Sequence, residues 1–158
     1  MRSKHPYALT SIRIQTIAVR ISLPELDLSL IHICRQIASW YDAAFADIAY
    51  VKPLAVRSNA VHAYHLYVVL FDLGQLNCTR ADLYAALRAE NIGVNVHYIP
   101  VHLHPYYRER FGTDRGLCPV AEDAYDRLVT LPIFPEMTEA DADDVITAIR
   151  KLEELKHV

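Results

Sequence analysis

Glycine is scarce, with four in 158 residues, at positions 74, 93, 112 and 116. Neither a G-x-G-x-x-G turn nor a P-loop can be built from them, which excludes the common glycine-rich phosphate cradles. The three cysteines, Cys34, Cys78 and Cys118, are an odd and widely spaced set. They form no disulfide framework and point to a reducing cytoplasm. No uninterrupted apolar run approaches the ~20 residues of a membrane-spanning helix. No apolar h-region followed by a small-residue cleavage site stands near Met1. A formal net charge of -3 and a pI of about 6.2 leave no basic arm for nucleic acid and no polybasic membrane anchor. The lysines are only Lys4, Lys52, Lys151 and Lys156. None stands in the apolar pocket that a Schiff-base lysine needs to lower its pKa.

What is present is a chain that is 53% hydrophobic and 22% charged, enough for one folded domain. Residues 1–34 stand apart from the rest. Ile12 to Ile33 is interrupted by Arg13, Arg20, Pro24, Glu25 and Asp27. Leu28-Ser29-Leu30-Ile31-His32-Ile33 alternates as a strand would, but also reads as a translation of a sequencing-library adapter. Residues 1–34, with the adapter-like string at 28–34, are therefore expected to be a non-native leader that adds no core. Residues 35–48 are expected to be the end of a helix, and residues 57–158 a small domain.

Beyond that leader, caps and periodic runs mark the elements. Ile37, Trp40, Tyr41, Ala44, Phe45 and Ile48 recur at helical spacing. Residues 51–59 read as a loop. Residues 62–72 read as a central strand, apolar on both faces, which would place His62 and His65 in the core. Residues 74–77 turn the chain. Thr79 with Asp82 forms a capping-box pattern for a helix closed by Gly93. Residues 94–99 read as a second strand that stops at Pro100. Residues 105–111 form a short helix ended by Gly112, and Pro119 opens another, with Ala121, Ala124, Tyr125 and Leu128 as its buried stripe. Residues 129–134 suit an edge strand bounded by prolines. Thr138 caps a last helix whose Ala142, Val145, Ile146, Ile149 and Leu152 face the core. The expected fold class is α+β, a small, partly antiparallel sheet with helices on it.

Asn95, His97, Tyr98, His102, His104, Tyr106 and Tyr107 make the densest polar cluster. His97, His102 and His104 could supply three imidazoles to a catalytic zinc, as in a small hydrolase, although no H-E-x-x-H helix accompanies them. They could equally be packed and hydrogen-bonded within the domain, or form a loop that a stand-alone binding module presents to a partner. Cys78 and Cys118 read as small buried groups.

Several ordered strings carry a family resemblance: His65-Leu66-Tyr67-Val68, Asn91 through His102, Pro105-Tyr106-Tyr107, Cys118-Pro119-Val120-Ala121-Glu122, and Leu131 through Thr138. Together they resemble the C-terminal domain of the DegT/DnrJ/StrS sugar aminotransferases over residues 35–158, with residues 35–45 similar to the end of the family's interdomain helix. The resemblance implies the small C-terminal domain of a pyridoxal-phosphate (PLP) enzyme of the aspartate-aminotransferase superfamily. It implies a cytoplasmic homodimer that moves an amino group from glutamate to the 4-keto carbon of a UDP-linked deoxy-sugar, as in pseudaminic acid biosynthesis. The Schiff-base lysine and most cofactor contacts would belong to a large N-terminal domain absent from these residues. The fragment is thus expected to hold no catalytic residue, no cofactor contact and no metal, and to be inactive alone. His97, Tyr98 and His102 are the residues the resemblance points to as lining the sugar-nucleotide side.

Overall fold

The computed structural model describes residues 29–157. The expectations for residues 1–28 lie outside the described residues. Three short strands form one sheet in the order β1 (Val51–Pro53), β2 (Tyr67–Phe71), β3 (Leu128–Leu131). Both pairings are antiparallel, with Val51 opposite Phe71 and Tyr67 opposite Leu131. The helices are α1 (Ser29–Phe45), α2 (Leu73–Leu76), α3 (Arg80–Ala89), α4 (Pro105–Phe111), α5 (Pro119–Arg127) and α6 (Glu139–Lys151). This is the expected α+β class.

The core sits where α1 and α6 pack together beside the sheet. Ile37, Tyr41 and Phe45 of α1 are buried with Val69 and Phe71 of β2, Leu83 and Leu87 of α3, and Val145 and Ile149 of α6. Fours in sequence place Ile37, Tyr41 and Phe45 on one helix face. The same spacing reaches back to Ile33, which is half-buried against the core. The described helix thus includes residues 29–34, and Ile33, within the segment expected to add no core, packs on the core. Tyr41 donates its hydroxyl to the Pro132 carbonyl at 2.9 Å, and Tyr50 donates to the Ile149 carbonyl at 3.0 Å. These bonds let two polar tips enter an apolar core without loss.

Helices α3 and α6 begin as their sequences require. Thr79 and Thr138 each accept from the backbone N–H three residues on, and Asp82 and Asp141 accept in return from the threonine N–H. All five residues assigned to the buried face of the last helix region are buried.

Other expectations are corrected. The strand over 62–72 is confined to Tyr67–Phe71. Upstream, Tyr64 lies at φ 51, its N–H held by His62 Nδ1 at 2.9 Å, which breaks the extended path. His62 and His65 are consequently exposed, not core residues. Residues 94–99 form no strand: the pairing with β3 is the single bridge between Asn95 and Thr130. The stretch read as a loop contains β1, and the turn at 74–77 contains α2, capped by Asp72. Asn91, at φ 61, takes the left-handed position after α3 that was assigned to Gly93; asparagine tolerates that region nearly as glycine does. Gly112 does hold φ 65 at the end of α4. In α5, Ala121 is exposed and Glu122 is the buried residue. Cys118 is exposed and Cys78 half-buried.

Candidate functional site

The histidine segment is held by three side chains, Thr130, Glu122 and Thr113. Strand β3 reads Leu-Val-Thr-Leu, and its one polar residue, Thr130, is 5% exposed. Its backbone exchanges both hydrogen bonds with Asn95, which brings the following residues alongside. Thr130 Oγ1 then pairs with His97 Nδ1 at 2.9 Å. That bond leaves Nε2 of His97 without a protein partner among the described residues. His97 lines a cleft of about 810 Å³ with Asn95, Thr130, Phe134 and the Glu90–Lys151 pair. Tyr98 stacks edge-on against His97, ring centroids 4.5 Å apart, and is 72% exposed.

His102 is anchored separately. It sits in the 3-10 turn Val101–Leu103 after Pro100. Its Nε2 lies 2.8 Å from Oε1 of Glu122, and its carbonyl accepts the Thr113 hydroxyl at 2.7 Å. Glu122 is 7% exposed and also accepts the N–H of Gly116, at 2.8 and 3.0 Å, and that of Cys118 at 3.0 Å. The Gly116 N–H, reinforced by Cys118 and His102, holds this carboxyl below the ordinary glutamate range, against the opposing effect of burial. A carboxylate only accepts, so His102 must direct an N–H of Nε2 toward it.

The three candidates are thus brought together only in part. His97 and Tyr98 share one contact, whereas no hydrogen bond or ring contact joins His102 to either among the described residues. The three imidazoles of the zinc reading do not gather. His97 is committed to Thr130, His102 to Glu122, and His104 is exposed. Among the described residues no three His, Cys, Asp or Glu side chains come together as metal ligands. Tyr106 and Tyr107 point away as part of an aromatic cluster with Phe111 on α4.

Glu122 and Thr130 were not singled out from sequence. The signals were there: a lone hydroxyl in an apolar strand, and a carboxylate in the first turns of a helix, where backbone N–H groups are unpaired.

Among the described residues no helix is long and apolar enough to cross a membrane. A spore coat polysaccharide biosynthesis protein of Bacillus subtilis, SpsC, is 42% identical over 118 residues, covering 74% of this chain and 30% of that protein. An uncharacterized protein of Methanocaldococcus jannaschii is 38% identical over 117 residues, again 74% of this chain and 30% of the relative. Among solved structures, Helicobacter pylori PseC, an aminotransferase involved in the biosynthesis of pseudoaminic acid, shares the fold with a TM-score of 0.72 at 24% identity, over 80% of this chain and 33% of PseC. DesV of S. venezuelae aligns with a TM-score of 0.71 at 27% identity, over 80% of this chain and 32% of DesV. The chain spans about a third of the length of these relatives. The model of the DegT/DnrJ/EryC1/StrS aminotransferase family matches residues 10–150, and the chain belongs to that family.

Proposed function

We propose that these residues are the small-domain part of a PLP-dependent sugar aminotransferase, one that moves an amino group from glutamate to the 4-keto carbon of a UDP-linked deoxy-sugar. The specific reading is a UDP-4-amino-4,6-dideoxy-N-acetyl-β-L-altrosamine transaminase of pseudaminic acid or related nucleotide-sugar biosynthesis, working as a cytoplasmic homodimer. The observation that carries it is family membership along residues 10–150; the fold shared with PseC supports the sugar class. In the complete enzyme PLP supplies the electron sink.

The described lysines do not fit that cofactor. The Lys151 ammonium is paired with Glu90, whose hydrogen bond raises its pKa above the ordinary lysine value, and Lys52 is exposed on an edge strand. The Lys151 amine so paired stays charged and is not a nucleophile near neutral pH. The chain's own contribution is therefore to bind and orient. His97 Nε2, without a protein partner among the described residues, belongs to a ring that lines the cleft and can meet a hydroxyl or phosphate oxygen of the sugar nucleotide. Exposed Tyr98 offers a ring face beside it. His102, pinned by Glu122, completes the loop.

The test is single-turnover kinetics of the two half-reactions in a full-length enzyme carrying these residues, with H97A and H102A. The sugar half-reaction should weaken by about 1–3 kcal/mol, and the glutamate half-reaction should be spared, because a contact made to one substrate alters only the step that uses it. Equal loss in both halves with the fold intact would assign the loop to domain closure instead.

A further inference from the structure

We propose that Glu122 is a positioning residue, which sets the orientation of the His102 imidazole and leaves its Nδ1 as the nitrogen available to a ligand. Four donor contacts converge on this one buried carboxylate: two from Gly116 N–H, one from Cys118 N–H and one from His102 Nε2. A buried carboxylate satisfied this fully by protein donors has little need of water. Three of its contacts come from the turn that leads into α5, and that turn also holds the His102 backbone through Thr113. Glu122 therefore fixes the ring, while Thr113 of the same turn holds the segment that carries it.

The opposite ring edge is the functional consequence. Nδ1 of His102 has no hydrogen-bond partner among the described residues. The only fully buried side-chain nitrogen or oxygen there without a partner is Nε of Arg127, so Nδ1 keeps contact with solvent. An imidazole with Nε2–H committed to a carboxylate presents a fixed tautomer when neutral. Its Nδ1 is then an acceptor, suited to a hydroxyl of a sugar or ribose. This consequence rests on the reading of His102 as a ligand contact. The positioning itself is tested without ligand, so the two can fail separately.

The experiment is nitrogen-15 NMR of the histidine ring in this chain, with E122Q, E122A and a control, R115A. The control breaks the Arg115–Asp126 ion pair in the same turn but leaves Glu122 in place. The native spectrum should show a slowly exchanging proton on His102 Nε2. In E122Q its exchange with water should accelerate about tenfold or more, because a charge-assisted hydrogen bond has become a neutral one. E122A should accelerate it further, and R115A should leave it unchanged. If E122A fails to fold, E122Q decides. The proposal is overturned if the native ring carries its proton on Nδ1 with Nε2 bare. It is equally overturned if E122Q leaves exchange unaltered with the backbone spectrum intact, or if R115A matches E122Q.

Discussion

Single hydroxyls order the core as well as the site. Tyr41 and Tyr67 are buried, and Tyr67 donates to Asp42 Oδ1 at 2.6 Å. Burial raises both phenols above the usual tyrosine value, aided at Tyr67 by the hydrogen bond to Asp42 and at Tyr41 by the charge of Asp141. A folded-state pKa above the unfolded one gives stability that is whole below about pH 10 and is lost as the pH climbs past it. Thermal melts from pH 8 to 11 should therefore show a midpoint falling above pH 10, with a smaller fall in Y67F; a flat midpoint would contradict this. Thr130→Val, which strips His97 of its partner, should cost about 1 kcal/mol in chemical denaturation. His97 was legible as a polar residue in an apolar stretch. Its partner was not, because a pairing between residues 33 apart depends on how β3 lies beside the chain, which alternation in either segment does not encode.

At the scale of elements, caps were legible because they are local. Thr138 and Asp141 lie three apart and satisfy each other's backbone donors. Thr138→Ala should lower stability by about 1 kcal/mol, readable from the denaturation midpoint. Asp141 and Asp82 are held below the ordinary aspartate range first by their threonine side chains, then by the threonine N–H. Such depressed carboxyls add stability above the unfolded pKa and lose it as pH falls through the folded one, so both caps should loosen in acid. Strand extents were less legible, since residues 94–99 alternate well yet find only one bridge. In helix α1 the spacing of four carries the packed face back to Ile33. Starting the chain at Arg35 removes Ile33 from the core and should cost about 1–2 kcal/mol relative to a start at Ser29. Equal stability of the two truncations would show that the first turns of α1 are idle.

For the whole molecule, the α+β class was legible from caps, periodicity and turn residues, and the family from ordered motifs. The match from residue 10 runs through most of the segment set apart by its sequence. In the Trp40–Phe45 stripe, Tyr41 and Phe45 are buried and Trp40 is half-buried, with α6 packed against the helix. Exposed apolar side chains among the described residues include Tyr98, Val101, Tyr106, Phe111 and Val120. On the proposed function, the described lysines, Lys151 paired with Glu90 and Lys52 exposed on β1, do not supply the amine that reacts with PLP. The direct measurement is to incubate the purified chain with PLP and glutamate, reduce with borohydride, and map any adduct by mass spectrometry. The account predicts no stoichiometric adduct at a single lysine and no turnover of glutamate. A one-to-one adduct at one lysine, with amino-group transfer, would contradict it.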